Sequence, residues 1–217
     1  MKPATVFTIL GLLSSLNSDA VYLSSGAPLP RFTSVKGKIR IEGSSNIDNW
    51  QVESKSLQGE LQAADLWSGA QRTEPAPIEA CAELFIPTRT LKSIERDGRP
   101  FSNKMDAIMH EALRANEDPT IAFKLKRLTV KNPPNIAGAA GELEAQGQVT
   151  VAGVSIETTF PVKVLSLSRD QLRLSGSTTM KMSDFRIEPP APKIALGLVK
   201  TADEIKVSFD WVVQRQK

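Results

Sequence analysis

The sequence has one cysteine, one histidine and no marked excess of charge of either sign, and each shortage excludes a class of function. Cys81 alone cannot form an intrachain disulfide. It sits in the strand-like run IEACAELFI and reads as a small buried apolar residue. His110 has no second histidine to share a metal and no G-x-S-x-G elbow to serve, so a catalytic role for it finds little support; an exposed helical position is the expectation. Neither phosphate-cradling loop (G-x-x-x-x-G-K or G-x-G-x-x-G) occurs, nor any C-x-x-C pair, so neither cofactor nor metal is expected. The formal net charge of +3 is spread among lysines, arginines and acids along the chain, whereas a nucleic-acid footprint gathers its cations on one face. No apolar run approaches the ~18 residues needed to span a bilayer, which argues against integral membrane insertion.

What is present is ordinary in amount and regular in pattern. Apolar residues make up 41% and charged residues 24% of 217 residues, a composition that fits one globular domain large enough for a real core. The first twenty residues stand apart. Lys2 precedes a short apolar run from Val6 to Leu16, and Ser18-Asp19-Ala20 has small residues at both flanking positions of an A-x-A-like cleavage site. Residues 1–20 are therefore expected to be a secretory signal peptide, 21–34 an N-terminal extension and 35–217 the folded domain, which places the protein in the periplasm or outside the cell.

Most of the remaining sequence alternates apolar and polar residues with period two, the mark of half-buried strands. Val35, Gly37, Ile39 and Ile41 share one face; so do Leu143, Ala145, Val149 and Val151; Leu172, Leu174, Met180 and Met182; and Ile205, Val207, Phe209, Trp211 and Val213. A glycine-containing turn at Ala152, Gly153 and Val154 joins two such runs as a hairpin. Near 121–130 the phase slips, because Ile121, Phe123 and Leu125 are odd-numbered and Leu128 is even, which predicts a bulge near Lys126. Two more strand candidates lie at 50–62 and 78–86. A single helix is predicted from an N-cap at Ser102 or Asn103 to Asp118-Pro119, with Met105, Ile108, Met109, Ala112 and Leu113 forming one stripe for core packing. About eight long strands and one short helix point to an antiparallel sheet closed into a barrel, since closure removes exposed edges. At that strand number the interior is either filled by side chains or holds one small ligand, and periodicity does not distinguish the two.

Five segments, in order, carry a resemblance: IEGSSNIDNW (41–50), MDAIMHEALRANEDPTIAFKL (105–125), GQVTVAGVSIETTFPV (147–162), TMKMSDFRIEPP (179–190) and TADEIKVSFDW (201–211). Together they resemble the YceI-like family of bacterial proteins, across about residues 35 to 213. The resemblance implies an eight-stranded, lipocalin-like antiparallel barrel whose interior holds a long-chain isoprenoid, a prenyl quinone or a fatty-acyl amphiphile without catalysis. It transfers no fixed set of ligand contacts, so the expected lining is the apolar face of the strands. This comprises Ile39, Ile41 and Trp50 near the start, Phe123, Phe160 and Val162 in the middle, and Leu172, Leu174, Met180, Met182 and Phe185 in the strand and turn that follow. Phe209 and Trp211 complete it near the C-terminus. In TMKMSDFRIEPP, Pro189 and Pro190 cannot donate ladder hydrogen bonds, so the strand is expected to end there, with Asp184 capping the turn and Phe185 plugging the wall.

Chain length enters through burial. Each buried methylene is worth ~0.8 kcal/mol, so ten to fifteen carbons supply ~8–12 kcal/mol against association costs of ~4–15 kcal/mol, which favours long chains over short ones. The competing reading is a barrel filled by Trp50, Phe123, Phe160, Phe209 and Trp211, whose outer face binds a protein partner. Dimers are common among barrels that shelter long chains, so a homodimer stays open as an assembly state.

Overall fold

The computed structural model describes residues 28–64, 75–132, 140–190 and 199–217. The leader-like residues 1–20 lie outside them, as do residues 21–27 of the stretch 21–34.

Among the described residues, eleven strands form one sheet that closes on itself. In chain order they are β1 (Arg31–Ser45), β2 (Asn49–Ser54), β3 (Gln58–Ala63), β4 (Ala76–Ile78), β5 (Ala80–Pro87), β6 (Lys92–Ile94), β7 (Thr120–Asn132), β8 (Ala140–Val151), β9 (Val154–Ser168), β10 (Gln171–Lys181) and β11 (Thr201–Arg215), with helix α1 (Asn103–Ala112) between β6 and β7. From β7 to β11 each strand pairs antiparallel with the next, and β11 closes the circle on β1. The result is a closed eight-strand antiparallel barrel of lipocalin-like form with one helix.

The eighth position in the wall is shared. The start of β1 pairs with β3 and its end with β2, so β2 and β3 act as one strand interrupted at residues 55–57. The run expected at 50–62 is thus two pieces. The interruption is set against Gly37, where a Cβ would sit 1.9 Å from the Leu57 carbonyl oxygen, so only glycine allows the two backbones this close.

The predicted bulge is present: the β7–β8 register shifts between Leu125 and Arg127, which lets Leu125 and Leu128 both face inward despite their parity. The β8–β9 hairpin turns on Ala152 (φ 49°) and Gly153 (φ 75°), the two positive values that a twist-matched two-residue turn needs. Other expectations are corrected. Val35 was placed on the inner face of its strand, but a register shift between Ser34 and Lys36 turns it out, leaving it 58% exposed. Cys81 is exposed, because β5 directs Ala82 and Ile86 inward and leaves Cys81 on the outer face with Glu83 and Phe85. α1 has Ser102 as its N-cap, whose Oγ accepts from Met105 N–H, but the helix ends at Ala112, well short of Pro119, with Arg114 in a left-handed conformation (φ 52°).

The barrel is solid at one end. Around the termini of β1 and β11, Leu61, Val130, Leu143, Val164, Leu172 and Val213 are buried together, with Phe32 packed on them. The opposite end carries α1, the β1–β2 turn and the chain that follows β10.

Candidate functional site

From that solid floor to the opposite end runs a cavity of about 1070 Å³. All of the expected lining residues border it except Leu172, which is corrected to the floor: its inward side chain meets Val213 across the β10–β11 register and is sealed off from the hollow above.

Why three of the five aromatic residues lie along the wall is a matter of glycines. Gly43 faces Trp50 in register, and a Cβ there would meet the indole ring at 2.2 Å. Gly176 faces Phe209, and a Cβ would meet that ring at 2.8 Å; at Gly147 it would meet the Phe123 ring at 2.5 Å. Each glycine gives a ring a place to lie along the wall, so that the ring covers the missing side chain and leaves the axis clear. Phe123, Phe160 and Phe209 then run as a belt with ring centres 5.4 and 5.9 Å apart, the first pair tilted at 57° and the second edge to face at 76°. Trp211 is 2% exposed, and its indole N–H donates to Ser34 Oγ at 2.7 Å, which satisfies the one polar atom it brings inside.

The segment TMKMSDFRIEPP closes a seam. β9 and β10 pair only as far as Val162 and Gly176; the next residue of β9 is Pro161, which has no N–H to donate. Beyond this point the strands part. The chain after Lys181 makes a 3-10 turn over Met182–Phe185, with the Asp184 carboxylate accepting from Lys181 N–H and Arg186 in a left-handed conformation (φ 58°). Met182, Phe185 and Ile187 pack in one cluster with Val154 and Ile156 of β9, Met180 of β10 and Ile205 of β11. The two methionines and Phe185 thereby do two things at once: they fill the seam and form part of the cavity wall.

α1 forms the remaining wall. Its stripe of Met105, Ile108 and Met109 was expected in a packed core, but it borders the cavity and stays half-buried. The reason lies in how the helix is held, which is by polar contacts to β6. Asp106 Oδ1 accepts from Ser93 N–H at 2.6 Å and from Ser93 Oγ at 2.8 Å, and its other oxygen lies 3.3 Å from Lys92 Nζ. One turn on, His110 Nε2 is 3.0 Å from the Leu91 carbonyl and donates to it. His110 is half-buried and engaged in this bond, not the free surface residue expected.

Burial pushes the Asp106 carboxyl upward, but the Ser93 donors and Lys92 outweigh it and hold the group below the usual carboxylate range. Glu53 behaves alike: burial raises it, while Lys38 at 2.7 Å and Arg40 at 2.8 Å bring it down. For a carboxylate depressed on folding, the linked stability is full above the unfolded value near ~3.9 and is lost as pH falls through the lower folded value. Unfolding midpoints measured from pH 6 to pH 2 are therefore expected to fall below about pH 4. Asp106→Asn should flatten that decline, with Glu53 and the likewise lowered Asp97 and Asp203 supplying what remains. An unchanged acid limb in the variant would show that the helix anchor does not depend on this charge.

Sequence reasoning missed Ile47 and Phe101 at the open end, and Leu57 and Leu91 deeper in the wall. Nothing in the alternation marks the first two, which lie in turns. Ile205 and Val207 were on the expected apolar face of β11 and do border the cavity. No helix among the described residues is long and apolar enough to cross a membrane.

The chain matches the family model of the YceI-like domain over residues 24–213. Among solved structures, the polyisoprenoid-binding domain from Saccharophagus degradans implicated in plant cell wall breakdown is similar at a TM-score of 0.61 and 10% identity, covering 85% of this chain and 98% of its own. BcnA of Burkholderia cenocepacia is similar at 0.56 and 16% identity, covering 81% and 95%. At such identities these two likenesses establish the fold alone. No curated protein matches significantly.

Proposed function

Because the chain belongs to the YceI-like family, we propose that it is a non-catalytic carrier or store for a long-chain isoprenoid or a similar amphiphile, such as a prenyl quinone or a fatty-acyl lipid, held along the barrel axis. The observation that carries this reading is the apolar hollow of about 1070 Å³, closed by a packed floor and bordered by flexible methionines and flat-lying rings. Thioethers adapt to a loosely shaped hydrocarbon, and the cavity is at the upper limit of pockets that take drug-sized ligands. The residues proposed to touch the chain are those of the expected lining without Leu172. The similar structure described as a polyisoprenoid-binding domain agrees with an isoprenoid chain. The leader-like first twenty residues support export to the periplasm or beyond. The alternative of a partner-binding barrel with a filled core loses its premise, since the interior is hollow.

Organic extraction of protein purified from bacteria, followed by mass spectrometry, tests the reading. A long-chain apolar molecule released in near-stoichiometric amount is the expected result. Extracts no richer than those of denatured protein, together with no uptake of added polyprenol, would sink it.

A further inference from the structure

We propose that the open end of the barrel docks on the surface of an anionic phospholipid bilayer, with Ile47 and Phe101 as its two inserted side chains. These are large apolar residues left exposed, 65% and 58%, and both border the cavity at its open end. They are presented on fixed backbones. Ile47 tops a tight turn in which Ser45 Oγ accepts from Ile47 N–H and Asp48 N–H, and Asn46 exchanges hydrogen bonds with Lys200 at the start of β11. Phe101 N–H donates to the Ser93 carbonyl at 2.9 Å, and the Glu95–Arg99 turn leading to it is closed by two backbone hydrogen bonds. The two lips are joined by the Arg96–Asp48 ion pair at 3.2 Å.

The rim carries mixed charge. Asp48 is matched by Arg96 and Asp97 by Arg99; beyond these pairs the described residues at this end expose Lys104, Arg186 and Lys200 alongside Glu95, Asp184 and Glu188. Two rigid apolar tips with lysines beside them, around the entrance of an apolar hollow, match an interface of phosphate headgroups over hydrocarbon. A chain entering or leaving the barrel there would pass from lipid to protein without crossing water. The purpose assigned to docking rests on the carrier reading, while the docking itself rests on the rim.

Flotation with vesicles of phosphatidylethanolamine and phosphatidylglycerol tests it. The protein is expected to rise with the vesicles. The double variant Ile47→Ser/Phe101→Ser should partition at least about tenfold more weakly, given the area the two side chains bury. Leu167→Ser, exposed at the solid end, should float like the unaltered protein, and Lys104→Glu should weaken binding in low salt more than in high salt. Failure to float, or an equal loss in Leu167→Ser, overturns the proposal. So does a concentration-dependent dimer that Phe101→Ser dissolves, since the mouth would then bind a second copy. Uptake of a fluorescent polyene fatty acid from ethanol is measured in parallel: uptake without flotation defeats docking alone, and flotation without uptake defeats the carrier reading alone.

Discussion

Val207→Trp is expected to weaken binding of a long prenyl chain by about fiftyfold while the barrel stays folded. Val207 borders the cavity from β11, half-buried, directly opposite Thr178 in the β10–β11 register. An indole at this position takes the space of about three methylenes of ligand. At ~0.8 kcal/mol each, their exclusion removes ~2.4 kcal/mol of binding, and every ~1.4 kcal/mol is tenfold. The added ring enters space that already exists, so it relieves a void instead of crowding a packed core, and thermal stability should hold or rise. Calorimetric or fluorescence titration with prenols of increasing length checks the result. The penalty should vanish for chains too short to reach Val207. A variant that binds every length as the parent does would place the ligand outside the barrel.

Gly37→Ala is expected to cost ~3 kcal/mol or more of folding stability, the upper range for forced overpacking. In an ordinary strand the same change stabilises, because alanine has less backbone entropy to lose than glycine. At Gly37 the sign reverses, since the new methyl would meet the Leu57 carbonyl at 1.9 Å and the nearest groups include backbone that cannot swing aside. The interruption between β2 and β3 would have to move, and with it Leu57, which is buried in the core. Urea unfolding of the two proteins, read by tryptophan emission, measures the difference. An unchanged or raised midpoint would show that the β1 crossing is more pliable than this separation allows.

Much of the architecture was legible in the sequence, and for particular reasons. Period-two alternation identified the long strands from β7 to β11. The parity slip at Lys126 located the bulge, because a leucine on the wrong parity must either face solvent or force an extra residue. The glycine-containing stretch Ala152 to Val154 marked the hairpin, and the Ser102-Asn103 pair marked the start of α1. Two of the errors occur where the backbone departs from regular geometry, and a third where a helix is held by polar contacts. Val35 turned out because the bulge before Lys36 resets parity. The strand expected at 50–62 broke because the wall needed a crossing at Gly37. The methionine stripe of α1 reached the cavity, not a packed core, because the helix is tethered by Asp106 and His110 at a site no periodicity can show.

Alternation by itself determined that the chain forms sheet with one apolar face, since side chains one residue apart must point to opposite sides of a sheet. Whether the barrel interior is empty was decided only by the tertiary structure. Emptiness depends on which glycine lies opposite which ring: Gly43 under Trp50 and Gly176 under Phe209 are more than six residues and more than thirty residues apart in the chain, respectively, and meet only across the strand register. The rings lie against the wall because a neighbouring strand leaves them a place to do so. Ile47 and Phe101 likewise become the two lips of one opening only when the β1–β2 turn and the chain before α1 are brought to the same end of the barrel.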